Sequence, residues 1–385
     1  MPHHKPRSVI IDVGSLHTKA GFDGESTPRV IATLLAKQKI THSSTRNVLM
    51  HLQNPLVSPK KEYMIGKEIK NQSAMNMALF HPVERGKFKD LKQLEKLWDY
   101  MYETELKVST SDCNLLIADN IFNPEENRQR EHCAQILFES LKVPSLFFEH
   151  QSVLSMFGAG KLTGVLIDSG YGITHTIPFF EGIPLRDAIE VSNFGSQDLD
   201  QFLMNCLINL SDNLKINQIK QCIKNIKEEL CFIKADPLAH SDCKPYELPD
   251  GTMVALRNEL FEGGELFFKH QLADKSFHGI HQMAHRSILK CEPEIRKDLY
   301  SNVVLTGGNC KLFGIEHRLK REMKSLTGKQ IKIHSTHYHD KECLSFIGGS
   351  IITSISTMDE AWITKKEWDE IGPDAFIRKG TIIID

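Results

Sequence analysis

The sequence predicts an α/β protein built as two similar domains with a cleft between them. A repeated supersecondary pattern carries that expectation. Val9-Ile10-Ile11-Asp12-Val13-Gly14-Ser15 is a short apolar strand ending in an aspartate and a small-residue turn, and Val165-Leu166-Ile167-Asp168-Ser169-Gly170 repeats it 156 residues later. After each turn the chain is strand-like again, over Lys19 to Phe22 and over Ile173 to Phe180, so each copy reads as a β-hairpin. Helical patterns lie between and after the copies.

Taken in order, the segment from Thr33 to Lys61 has little periodicity and reads as a surface excursion. Asn123-Pro124 is a helix start, with Asn as the cap, Pro at the first helical position and Glu125-Glu126 on the positive end of the dipole. Ala134, Leu137, Phe138 and Leu141 supply its apolar stripe. A second helix has Ile216, Ile219, Ile223, Ile226 and Leu230 at spacings of 3 and 4, with Lys220, Lys224 and Lys227 on a solvated face. Late in the chain, Val303 to Thr306 is a strand ending at Gly307-Gly308, followed by an amphipathic helix to about Met323. Phe346-Ile347 running into Gly348-Gly349-Ser350 reads as a second Gly-Gly turn before a helix. Strand, glycine turn and helix let backbone approach a nucleotide, because glycine has no Cβ.

Composition bounds the function. The 385 residues carry a net charge of −2 with 41% apolar residues, which excludes a disordered chain and gives no drive towards nucleic acid or acidic membranes. No apolar run approaches the length of a membrane span, and no signal peptide is evident. Nine cysteines, an odd number with no CxxC pair, point to a reducing compartment.

The two Asp turns suit a nucleoside triphosphate. Asp12 and Asp168 are placed to hold a hydrated divalent cation, and the N–H groups of Gly14-Ser15-Leu16 and Ser169-Gly170-Tyr171 to cradle phosphate oxygens. Lys19 supplies a neutralising ammonium. The chain has no GxxxxGK[ST] loop and no protein-kinase signature set. His281 and His285 lack the Glu of a zinc-protease motif. His334, His337, His339 and Cys343 read as an exposed polar loop more readily than as metal ligands.

These residues also carry a family resemblance along nearly the whole chain. Ile11-Asp12-Val13-Gly14-Ser15 with Lys19-Ala20-Gly21-Phe22, and Asp168-Ser169-Gly170 with Thr174-His175-Thr176, resemble the two phosphate loops of actin and the actin-related proteins. Tyr246-Glu247-Leu248-Pro249-Asp250-Gly251, Ile347-Gly348-Gly349-Ser350 and Trp362-Ile363-Thr364-Lys365 continue the match in order. The resemblance implies an actin-like ATPase fold, two RNase H-like domains around a nucleotide cleft. The first would comprise 1–150 with an outer insertion at about 34–80 and a returning segment 351–385. The second would comprise 151–350 with an outer insertion at about 195–285. It implies ATP or ADP with Mg²⁺ or Ca²⁺. Asp12, Gly14, Ser15, Leu16, Lys19, Asp168, Ser169 and Gly170 then surround the phosphates, Gly307 and Gly308 form the turn beneath the nucleotide, and Lys227 and Glu228 meet the adenosine moiety. Asp12 and Asp168 hold the cation through water. Gln151 and His175 match the residues that orient the attacking water, a task needing no strong base.

The departures matter equally. Tyr171 stands where actin has a further aspartate, Leu16 replaces a glycine, Val13 an asparagine, and Leu312 an aromatic near the adenine. Arg85 replaces the histidine that actins methylate. Ala273-Asp274 falls where the family has an apolar plug. Phe157, Gly158, Gly160, Ile183, Ile352, Ile355 and Met358 match an apolar partner cleft or are core. The expected function is a divergent, nucleotide-binding structural subunit of a cytoskeletal or multiprotein assembly, at most a slow ATPase that forms no long homopolymers. The alternatives are a conventional polymerising ATPase and, more remotely, a small-molecule kinase of the same superfamily. Other cytoskeletal or complex-forming proteins are the expected partners, actin-like subunits among the candidates, with no direct nucleic acid and no membrane. The expected location is the cytoplasm and cytoskeleton, with nucleus and cilium left open.

Overall fold

The computed structural model describes residues 7–39, 62–70, 77–120, 127–210, 222–235, 244–248, 251, 253–269, 278–334 and 340–379. The chain divides into two compact units, Met1–Glu149 with Ile355–Asp385, and His150–Ser354.

The first unit is organised by a six-stranded sheet. Its order is Ile363–Thr364, Ser145–His150, Asn114–Asp119, Ser8–Val13, His17–Phe22 and Arg29–Ala32. Ser8–Val13 is buried along its whole length, as the apolar run Val9-Ile10-Ile11 requires of a strand covered on both faces. It pairs antiparallel with His17–Phe22 and parallel with Asn114–Asp119. The helix Asn127–Glu139 packs Cys133, Ala134, Leu137 and Phe138 into the core. The expected start of that helix, at Asn123-Pro124, lies outside the described residues. Asp90 caps the helix Leu91–Tyr100 by accepting from the Lys92 and Gln93 amides. Arg130 and Asp119 form a buried bidentate pair, at 2.7 and 2.8 Å. A small three-stranded sheet, Met64–Ile65, Leu35–Gln38 and Met77–Phe80, occupies the outer insertion.

The second unit repeats the plan. Gly164–Ser169 pairs antiparallel with Thr174–Phe180 and parallel with Val303–Thr306. Ile183–Pro184 and Glu190–Ser192 add to the outer side of the hairpin, and Ile333–His334 to the far side of Val303–Thr306. The core gathers Phe194, Leu199, Leu203, Phe267, Leu305 and Leu319, among others, around this sheet. Arg318, fully buried, is clamped by Glu265 through two nitrogens and by Glu322 at 2.6 Å.

Three sequence expectations change here. Gly348-Gly349 is not a turn: both glycines lie inside the helix Leu344–Thr353. A Cβ on Gly348 would stand 1.7 Å from the Leu154 carbonyl oxygen, and one on Gly158 would stand 2.3 Å from that of Leu344. The glycines let this helix press backbone to backbone against the helix Gln151–Gly158. After Val303–Thr306, a 3₁₀ turn Gly308–Lys311 intervenes before the helix Ile315–Thr327. Around Lys227 the helix ends as a π-helical turn, Ile226–Leu230, with Ile223 and Ile226 buried as expected. Ile216, Ile219 and Lys220, most of the Thr33–Lys61 excursion, and Ala273-Asp274 lie outside the described residues.

Candidate functional site

Each unit presents one aspartate at the tip of its hairpin. In the first, Asp12 faces Lys19 across the ladder and the Lys19 ammonium lies 3.1 Å from its carboxylate. The Gly14 amide donates to the His17 carbonyl at 3.1 Å, which closes the turn. The Ser15 hydroxyl accepts from the Gly86 amide at 2.9 Å, tying the loop to the hairpin that carries Arg85. Half-buried Leu16 accepts from the Thr33 amide through its carbonyl at 2.8 Å.

The second hairpin is the counterpart. Asp168 faces His175 in the same register, with the imidazole Nε2 3.5 Å from its carboxylate. The Gly170 amide donates to the Ile173 carbonyl at 3.0 Å, the same turn closure as in the first hairpin. Both glycine amides are therefore spent inside the turns.

Around Asp168 the second unit assembles most of its expected residues. Gln151 is the first residue of the helix Gln151–Gly158, and His150 caps that helix through Nδ1, accepting from the Ser152 amide at 3.0 Å. Ser152 Oγ reaches His175 Nε2 at 2.8 Å. His175 is fully buried, and burial lowers its pKa, opposed by the nearby Asp168 charge. Ser169 Oγ is 2.8 Å from Thr174 Oγ1. Gly307 has φ +89°, and a Cβ there would come within 2.3 Å of the Ser169 carbonyl oxygen and 2.7 Å of an Asp168 carboxylate oxygen. Only glycine gives both the backbone conformation and the clearance. Gly308 has open space where a Cβ would be.

Lys227 and Glu228 separate. Glu228 is exposed on the π-helical turn. Lys227, expected on a solvated face, is instead drawn in by Asp200 at 2.6 Å, with Ser196 Oγ at 3.4 Å and the Tyr171 ring centroid at 5.8 Å. The Tyr171 phenol hydrogen-bonds Asp200, and burial followed by the Asp200 charge pushes its pKa up to about 12.

Sequence reasoning missed Ser152, Asp200 and Asn309. The Asn309 amide nitrogen donates to Ser169 Oγ at 3.0 Å and to the Gly170 carbonyl at 2.7 Å, bracing the loop from beneath. Its signal was a polar residue directly after a Gly-Gly turn. Asp200 gave no signal, because nothing in the spacing links it to Lys227. The His281 ring stacks on Phe268, and His285 Nδ1 meets the Tyr300 hydroxyl at 2.7 Å, so both are structural. His337 and His339 lie outside the described residues. The apolar cleft set is mixed: Ile352 is core and Gly158 belongs to the helix seam, whereas Ile183 is 66% exposed.

Among the described residues, no group of three or more His, Cys, Asp or Glu side chains could hold an ion. Among the described residues, no helix is long and apolar enough to cross a membrane. The actin family model matches residues 4–381, nearly the whole chain, and with its α/β architecture and its doubled aspartate hairpin this chain belongs to the actin family.

Proposed function

We propose that this chain is a divergent actin-like protein, a nucleotide-binding structural subunit of a cytoskeletal or multiprotein assembly, and at most a slow ATPase. Its two units are RNase H-like domains in this reading. The observation that supports it best is the pair of hairpins with Asp12 facing Lys19 and Asp168 facing His175 in one register. ATP or ADP binds with its phosphates on the two turns, and Asp12 and Asp168 hold the water shell of Mg²⁺ or Ca²⁺. The bound cation neutralises phosphate charge. Lys19 adds an ammonium, Gln151 and His175 stand at the reacting end, and Lys227 stands at the adenosine end.

Weak hydrolysis follows from Tyr171. Its phenol, bound to Asp200, supplies no carboxylate to a cation's water shell. The protein works in the cytoplasm and cytoskeleton beside other complex-forming proteins rather than as a long homopolymer. Isothermal calorimetry with ATP and ADP, with and without Mg²⁺, tests the binding. No heat with either nucleotide at millimolar concentration would refute it. Sedimentation with ATP and Mg²⁺ tests the assembly behaviour, and micron-long single-component filaments would overturn that part.

A further inference from the structure

Ser152 stands next to Gln151 and is fully buried at the start of the helix Gln151–Gly158. Its amide is used by the His150 cap at 3.0 Å, and its hydroxyl lies 2.8 Å from His175 Nε2. That nitrogen is the one turned towards the phosphate loop, since Asp168 lies 3.5 Å from it. An imidazole nitrogen has a single hydrogen-bonding site, either one N–H or one lone pair, whichever tautomer is present. At 2.8 Å against 3.5 Å, Ser152 and not Asp168 takes that site. Burial disfavours the charged ring, opposed by the nearby Asp168 charge.

We propose that Ser152 is a positioning residue that holds the His175 imidazole by Nε2 and thereby restrains hydrolysis of the bound nucleotide. The proposal rests on the nucleotide-binding reading above. In that hydrolysis a water oxygen bonds to the γ-phosphorus while the bond from phosphorus to the β,γ-bridging oxygen breaks. The electron pair leaves with ADP, and the water's proton passes to the phosphate product or to solvent. A histidine that helps orient such a water must offer it a free ring position. Here the position nearest Asp168 is engaged by a serine fixed at both its amide and its hydroxyl. The His150 cap holds the Ser152 backbone at the helix start.

The test uses the full chain with Ser152→Ala and Ser152→Cys. Alanine deletes the hydroxyl, and cysteine restores the volume with a poor hydrogen-bonding group, which separates the hydrogen bond from packing. In nucleotide-free protein labelled at histidine nitrogen, both variants should shift the His175 Nε2 resonance, assigned by its loss in His175→Gln. Both should raise single-turnover ATP hydrolysis by about tenfold, the worth of one neutral hydrogen bond, at wild-type nucleotide affinity. An unmoved resonance overturns the hydrogen bond and the proposal with it. A moved resonance with wild-type affinity and unchanged or slower hydrolysis overturns the proposal and leaves the nucleotide reading standing. Failure of wild type and both variants alike to bind ATP overturns the nucleotide reading itself, and the proposal falls with it.

Discussion

Lys19 and His175 are structural counterparts: each stands directly across its hairpin from the turn aspartate, Lys19 from Asp12 and His175 from Asp168. One position thus carries a permanent cation in the first unit and a buried, neutral-leaning ring in the second. The duplication is one of backbone and register, and the chemistry on it has diverged.

Removing the cation takes the facing charge from a buried carboxylate. Lys19→Met should cost about 3 kcal/mol of stability, because Asp12 stays in place with its facing charge gone. The double variant Lys19→Met with Asp12→Asn should recover much of that loss. Chemical denaturation of the three proteins checks this, and an additive double variant would contradict it.

Gly307 and Gly308 are neighbours with opposite tolerance. Gly307→Ala drives a Cβ into the Ser169 carbonyl and the Asp168 carboxylate at a positive φ, and should cost about 1–3 kcal/mol while weakening nucleotide binding. Gly308→Ala meets open space and should leave stability within about 0.5 kcal/mol of wild type. Melting curves and ATP titrations on the pair give the comparison. Equal effects would remove the argument from Cβ clearance.

Much of the hairpin pair was legible in the sequence, because an apolar run, an aspartate and a small-residue turn are all local signals. The Gly348-Gly349 pair was not. Read locally, two glycines break a chain; here they sit in a helix because a second backbone must come within touching distance. The ties from Asp200 to Lys227 and from Ser152 to His175 join residues 27 and 23 positions apart. No spacing rule connects such pairs, so only the folded chain shows that Tyr171 and Lys227 share one carboxylate.

Tyr171→Asp should strengthen Mg²⁺ binding to the nucleotide complex by returning a carboxylate to the second loop. The same change sets a second negative charge beside Asp200, which Lys227 offsets, so apo stability should fall. Tyr171→Phe should do neither to the same degree, since it removes only the hydrogen bond to Asp200. Mg²⁺ titrations followed by calorimetry, with melting curves, decide it. Unchanged cation affinity in Tyr171→Asp would show that the tyrosine is not the cause of weak binding.

Acid should unfold the protein early. Burial holds His175, His281, His285 and His334 below the ordinary imidazole range. The unfolded chain takes up their protons as pH falls through about 6.5, while the folded chain resists, so stability present above that pH is lost below it. His281 contributes against Phe268, with Glu322 favouring its charged form and Arg318 opposing it. The melting temperature should drop between about pH 7 and pH 5, and less steeply in His281→Phe. A flat profile over that interval would contradict the prediction.

The seam of glycines has one more meaning. The second unit begins at His150 and ends at Ser354, so the chain enters it just before the helix Gln151–Gly158 and leaves it just after Leu344–Thr353. The two helices pressed together at Gly158 and Gly348 are therefore the doorway of the unit, carrying its incoming and outgoing threads side by side. The incoming helix also bears Gln151 and Ser152 on its first turn. A single added methyl at Gly348, far along the sequence from either hairpin, would push on that threshold and be felt at the imidazole of His175 without touching it.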